Sequence, residues 1–374
     1  MRQYVEDQGY KGWDPYDGLT SRLFRAIPGF KQSRFLRLAW IQTFKRSPIN
    51  LRPLTGVKKD YNPKGLGLFI TGYCRQYQQT GEAELLDKIH KLCRQVIDLR
   101  TPGYSGSCWG YNFDWQARAF FQPAYTPTVV ATTFITSALL DAYEITGDQE
   151  YLDVSIDATQ FVLQDLNRTN DEKGNYALSY SPLDHTQVFN ASLLGAKLLS
   201  RVHEHAPQPH YLIEAKKIVQ YACDHQAPDG SWPYSRLPYQ QWIDSFHTGY
   251  NLECIHHYRR VSGDTDYDEH MEKGLQYYLD NFWLPDGTPK YFHDKTYPID
   301  IHAPAQMVLT FHALGILDEQ KELVDRVLHW TIDNMQDKKG YFYYQIKPGM
   351  TSRIPYIRWA QGWMFYALSH YPVQ

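Results

Sequence analysis

Five cysteines in 374 residues, none spaced as a C-x-x-C pair, leave little from which to build a zinc finger, a redox pair or a disulfide framework. Cys74, Cys93, Cys108, Cys223 and Cys254 are an odd and scattered set, read here as reduced and mostly buried thiols. No run of eighteen apolar residues occurs, so no membrane-spanning helix is expected. Met1 to Asp7 lack the apolar core of a secretion signal, which sets a cytoplasmic location as the expectation. The net charge is only -3, with no basic stripe dense enough to grip a phosphate backbone, and no nucleic-acid partner is expected. Gly-rich phosphate loops are missing too. His256 and His257 are adjacent and diverge on a helix, and no metal is assigned to His293, Asp294 and His302. The expectation is therefore no metal and no cofactor. Oligomeric state is not encoded in any pattern of the chain.

Aromatic residues are abundant instead. There are 30 Tyr, 17 Phe and 10 Trp, more than a core alone explains, because many stand in loops beside Gly, Pro and Asp. Tyr and Trp combine a flat apolar face with a polar handle. Sugars present apolar C–H faces among hydroxyls, so such loops suit a carbohydrate.

The aromatics are also periodic. Gly110-Tyr111, Gly174-Asn175-Tyr176, Gly230-Ser231-Trp232, Gly287 with Tyr291, and Gly340-Tyr341 recur along the chain. Their spacing of roughly 55–65 residues marks a repeat architecture. Each unit has a turn-rich loop, an apolar helix rich in small residues, a short turn such as Thr146-Gly147-Asp148 or Ser262-Gly263-Asp264, and an amphipathic helix. Inner helices are expected near 63–78, 126–145, 187–203, 245–260, 302–315 and 354–370. Outer helices are expected near 83–98, 149–167, 210–225, 266–282 and 318–335, with 31–46 as the sixth, packed near 318–335 to close the ring. No long alternating run argues for a sheet core, although short strands are expected in loops, for example at Tyr341 to Ile346. The fold expected is all-α, an (α/α)6 toroid of six helical hairpins forming a single domain over 1–374, with 1–30 as an N-terminal extension packed on it. A linear solenoid uses the same helix pairs and is the alternative.

Loops from each outer helix to the next inner one all open at one end of such a ring, and here they are the long ones. The first carries Trp109, Asp114, Trp115 and Arg118; the second carries His185; the third carries Trp232, Tyr234, Trp242 and Asp244, with His247 just beyond. The fourth leads to His302, and the fifth carries Arg353, Arg358 and Trp359. Asp244, Asp114 and His247 are the catalytic candidates, and the others are candidate sugar contacts. Asp244 stands just before a helix, where an N-cap role competes with chemistry or coexists with it. His247, three residues on, shares its helix face. Arg353 and Arg358 suit an anionic sugar.

The segment from Trp242-Ile243-Asp244-Ser245 to Ser262-Gly263-Asp264 resembles the six-hairpin glycosidase-like superfamily, in particular the unsaturated glucuronyl and rhamnogalacturonyl hydrolases. That resemblance implies Asp244 as general acid/base. The sequence is also similar to a bacterial and archaeal group tied to surface-polysaccharide gene clusters. Members of that group often carry the name delta-aminolevulinic acid dehydratase, which implies a β/α barrel that this helical repeat does not support.

The leading functional reading is thus a glycoside hydrolase-like enzyme acting on a poly- or oligosaccharide, with Asp244 and Asp114 as the carboxyl pair and uronic acid as a candidate sugar. Lyase or epimerase chemistry is the close variant, with Tyr or His taking a proton beside a neutralised carboxylate. A non-catalytic glycan-binding or assembly protein needs only the aromatic loops. A terpene-cyclase or prenyltransferase toroid needs an acidic cluster in its cavity, but Asp264-Thr265-Asp266-Tyr267-Asp268 falls at the opposite, turn end.

Overall fold

The computed structural model describes residues 1–117 and 120–371. The chain opens with four short or peripheral helices: α1 (Arg2–Asp7), α2 (Arg22–Ala26), α3 (Arg34–Arg46) and α4 (Arg52–Thr55). Five complete hairpins follow. Their inner helices are α5 (Pro63–Thr80), α7 (Val129–Thr146), α9 (Phe189–His205), α11 (Ser245–Ser262) and α13 (His302–Leu314). The matching outer helices are α6 (Ala83–Asp98), α8 (Gln149–Gln160), α10 (Pro209–Cys223), α12 (Asp268–Asn281) and α14 (Lys321–Met335). A wide helical turn, Ile357–Gly362, then runs into the sixth inner helix, α15 (Trp363–His370).

Each inner helix packs on the next, and α15 packs back on α5, so the ring is closed and the solenoid is excluded. Burial on both sides explains why these helices lack a polar face. Ala131, Ile135, Ala138, Leu139 and Ala142 of α7 are all fully buried, as are Ala191, Leu193, Ala196, Leu198 and Leu199 of α9. The turn end is built by glycine. Gly147 and Gly263 leave α7 and α11 at φ +68° and +72°, a left-handed conformation that costs an L side chain about 1–2 kcal/mol.

The sixth outer position differs from the sequence expectation. Helix α3 packs on residues 17–20 and on the strand Trp115–Gln116, not on α14. The vacancy is filled by α1. The loop glycines show this. A Cβ on Gly230 would meet the carbonyl of Lys273 in α12 at 2.3 Å, and one on Gly287 would meet that of Arg326 in α14 at 2.5 Å. At Gly340 the corresponding neighbour is Met1, 2.9 Å away. Glu6 of α1 then reaches Lys88 of α6 at 2.7 Å, spanning the gap. Its six residues hid this helix, whereas α3 offered thirteen helical residues.

Residues 17–56 form a cap instead. Leu19, Phe24 and Ile41 make its small core, with Tyr16, Phe30, Trp40 and Trp115 against them. Strands are confined to loops: Trp115–Gln116 with Phe121–Gln122, Arg168–Asn170 with Tyr176–Leu178, and Ile299–Asp300 with Gln345–Lys347 and Met350–Ser352. Of the strand expected at Tyr341 to Ile346, Phe342 forms an isolated bridge with Gln336 and the ladder begins at Gln345. Among the described residues no helix is long and apolar enough to cross a membrane.

Candidate active site

The long loops converge on a cavity of about 550 Å³ at one end of the ring axis. Its floor comes from the first two turns of the inner helices and the turn before α15: Lys64 of α5, Phe246, His247 and Tyr250 of α11, His302 of α13, and Arg358 with Trp359. Its walls are loop aromatics, including Tyr111, Trp115, Tyr180, Tyr234, Trp242 and Tyr291. Tyr16, Leu38, Ile41 and Lys45 of the cap roof it. Burial raises the phenols of Tyr111, Tyr180, Tyr234, Tyr250 and Tyr291, so each keeps its proton near neutral pH and can donate to a hydroxyl or carboxylate.

Asp244 lies beneath the surface of this cavity. One carboxylate oxygen accepts from the His247 backbone N–H at 3.0 Å, which caps α11. The other accepts from the Trp242 indole at 3.0 Å and faces His247 Nδ1 at 2.7 Å. The cap and the pairing with His247 therefore coexist in one side chain. The His247 ring is held further by Tyr234 and Phe246, with centroids at 4.7 and 4.2 Å. With Nδ1 committed to Asp244, Nε2 is the nitrogen left for the cavity.

His302 is nearly fully buried, stacked 4.3 Å from Phe246 with its Nε2 2.8 Å from the Tyr250 hydroxyl. Burial first, then the charges of Lys64, His247 and Arg358, hold its pKa well below the usual value, so it is neutral. Lys64 is 3% exposed, and its amine lies over the rings of Phe134, Trp363 and Tyr250 at 4.1, 5.0 and 5.8 Å. Among the described residues no side chain or carbonyl accepts a hydrogen bond from it. Burial first, then Arg358, lowers its pKa well below the ordinary lysine value. Arg358 is clamped by Asp14, Nε to Oδ2 at 2.7 Å and Nη2 to Oδ1 at 2.9 Å, which leaves Nη1 uncommitted among the described residues. Asp300 sits behind Trp359, accepting from its indole at 2.8 Å and from the His302 backbone at 3.0 Å.

Of the residues singled out in the sequence, the cavity gathers Trp115, Tyr234, Trp242, His247, His302, Arg358 and Trp359. Others fall elsewhere. Trp109 and Trp232 are buried behind the lining, donating to the carbonyls of Val96 in α6 at 2.7 Å and Ala222 in α10 at 2.9 Å. They seal the ends of outer helices; of the two, only Trp232 belongs to a Gly-aromatic landmark, which there is a packing motif, whereas Tyr111 of the first landmark lines the cavity. Asp114 accepts from the Ala124 backbone at 2.8 Å, meets Arg25 at 3.3 Å and is not part of the lining. Its partners are the backbone of its own loop and Arg25 of the cap. His185 and Arg353 are exposed and outside the lining. Arg118 lies outside the described residues.

Lys64, Tyr250 and Asp14 were missed. Lys64 left a signal: a cation in the first turn of an inner helix that has no polar face is out of place unless something needs it. Asp14 left none, because its partner is at the other end of the chain.

Residues 132–306 match the model of Glycosyl Hydrolase Family 88. No match was found among the curated proteins. Among solved structures, a cellobiose 2-epimerase from Bacillus thermoamylovorans B4167 superposes with a TM-score of 0.65 at 13% identity, covering 82% of this chain and 87% of that one. An unsaturated glucuronyl hydrolase specific for heparin gives 0.63 at 14%, covering 85% and 88%. A family 76 α-mannanase from Bacteroides thetaiotaomicron gives 0.62 at 12%, covering 83% and 86%. The chain has the (α/α)6 fold of the six-hairpin glycosidase-like toroids.

Proposed function

We propose that this six-hairpin glycosidase-like toroid, a carbohydrate-active enzyme, moves a proton on an acidic sugar by epimerase- or lyase-type chemistry. One observation carries the reading: the described cavity lining contains no Asp or Glu, but holds His247, His302, Lys64, Arg358 and a set of tyrosines. Two-carboxylate hydrolysis has no carboxyl pair to use there.

In this reading a sugar carboxylate lies against Lys64 and Arg358. The adjacent C–H is made acidic because the carboxylate can take up the electron pair. His247 Nε2 accepts that proton while Asp244 steadies the imidazolium that forms. The electron pair moves onto the carboxylate oxygens, where the two cations and tyrosine hydroxyls receive the charge. A tyrosine hydroxyl returning a proton to the opposite face gives the epimer; departure of the substituent on the next carbon, its oxygen protonated by such a hydroxyl, gives an unsaturated sugar. The name of the cellobiose 2-epimerase neighbour supports proton transfer on this scaffold.

The test is turnover of uronic-acid oligosaccharides in deuterated water, followed by mass spectrometry. Deuterium bound to carbon, or an unsaturated end, is the expected product. A simple gain of water without deuterium on carbon would sink the proposal and favour the second reading, hydrolysis. That reading draws on the family match, which spans Asp244.

A further inference from the structure

The chain's near-neutral charge hides one strongly one-sided stretch. Residues 18–59 hold ten Lys and Arg and not one Asp or Glu. This stretch takes in nearly all of the cap and runs three residues past it. Arg52 is buried against Asp17, and Arg25 meets Asp114. Arg22, Lys31, Arg46 and Lys58 have no carboxylate partner among the described residues.

The same stretch carries apolar side chains in the open. Leu23 is 49% exposed, Phe35 76%, Ile49 68% and Leu54 80%. They are four of the ten large hydrophobics exposed among the described residues, on a small fraction of the chain. Helices α2 and α4 pack together, so Leu23 and Leu54 stand on neighbouring short elements. Phe35 stands on α3, whose Leu38 and Ile41 roof the cavity.

We propose that the cap docks on an anionic lipid surface, its exposed apolar side chains entering the headgroup layer and its cations meeting lipid phosphates. Unopposed cations alone would fit any polyanion, an acidic glycan included. The apolar residues decide between them. Leu, Ile and Phe side chains gain little from a hydroxyl-rich polymer, but gain transfer energy at the headgroup–acyl boundary. Without such a partner, this surface leaves both unpaired charge and bare hydrocarbon in water. The inference does not rest on the reaction proposed above, but it places the cavity roof beside a membrane, where a lipid-borne glycan would be within reach.

The test is flotation of the full chain with phosphatidylcholine vesicles, with and without phosphatidylglycerol, and separately a binding titration with soluble heparin. Phosphatidylglycerol vesicles should bind about tenfold more protein or better, and binding should fade at salt that cuts the Debye length to about 3 Å. The triple variant Leu23→Ser, Phe35→Ser, Leu54→Ser should lose vesicle binding while keeping its fold, because all three side chains are exposed. Arg22→Gln with Lys31→Gln and Arg46→Gln should weaken it as well. Turnover of a soluble oligosaccharide should stay unchanged in both. No preference for phosphatidylglycerol, or full vesicle binding by the serine variant, overturns the proposal. Tight heparin binding without vesicle binding also overturns it and makes the cap a polysaccharide surface.

Discussion

The Asp244 carboxylate serves helix α11 and the His247 ring together, 3.0 Å from the backbone N–H of His247 and 2.7 Å from its Nδ1. Asp244→Asn keeps an oxygen for the cap but puts an amide where the imidazole N–H now points. The ring then loses the partner that fixes its tautomer. Turnover should fall by about a hundredfold or more with little change in melting temperature. Asp244→Ala should lose the same activity and about 1 kcal/mol of stability besides. An Asn variant with full activity would reduce Asp244 to a cap.

Lys64→Met should leave the fold intact, since a lysine held among three rings is replaced by an apolar chain of similar length. Binding of glucuronate should weaken about tenfold or more, with binding of neutral glucose unchanged. A second readout is proton uptake. Because the free amine is driven toward its neutral form, an arriving carboxylate must draw a proton onto it. Calorimetry in buffers of different ionisation enthalpy should show uptake in the wild type above the lowered pKa, and none in Lys64→Met. Equal uptake in both proteins would remove Lys64 from the carboxylate site.

The tryptophans divide into two kinds. Trp109→Phe removes a buried hydrogen bond and leaves the Val96 carbonyl without its donor, at a cost of about 1–3 kcal/mol. Its KM should not move. Trp115→Ala and Trp242→Ala, on the cavity wall, should raise KM with a smaller fall in melting temperature. Comparable KM effects from Trp109 and Trp242 would contradict this division.

Asp300 gives a pH signature. Burial raises its carboxyl from 3.8 to about 6, against the pull of hydrogen bonds from His302, Trp359 and Gln345. The folded state thus holds the proton more tightly than the unfolded chain. The stability this contributes is full below the unfolded value and is lost as pH rises through about 6. Urea unfolding from about pH 4 to about pH 7 should show Asp300→Asn gaining on the wild type. Trp359 fluorescence should titrate near the same value in the wild type only. A constant stability difference across that range would place the titration elsewhere.

The hairpins were legible because their signals are local. Gly147 and Gly263 end helices by a conformation that glycine takes freely, and the apolar stretches of α7 and α9 can only be covered on both sides. His247, Trp242 and Arg358 were legible as out-of-place groups in loops and helix starts. Side-chain destinations were not. No pattern around Trp232 says that its indole will turn back to the Ala222 carbonyl and seal α10 instead of meeting a sugar. Thirteen periodic residues in α3 read as a ring helix because sequence pattern reports an apolar face, not what covers it. The six residues of α1 carry too little pattern to compete.

The ion pair between Asp14 and Arg358 joins positions 344 residues apart. A ribosome makes Asp14 long before its counter-charge. During synthesis the cap and five hairpins emerge with one buried carboxylate unanswered and the ring still open between α5 and α13. Ile357–His370 then supplies the missing sector, the Arg358 clamp and Trp359 of the floor in a single stretch. The segment behaves as a keystone. Losing any outer helix would loosen one arc, but a nascent chain stopped short of this one would have no closed ring, no anchored cap and no finished floor. Activity is thereby deferred until this segment has been made.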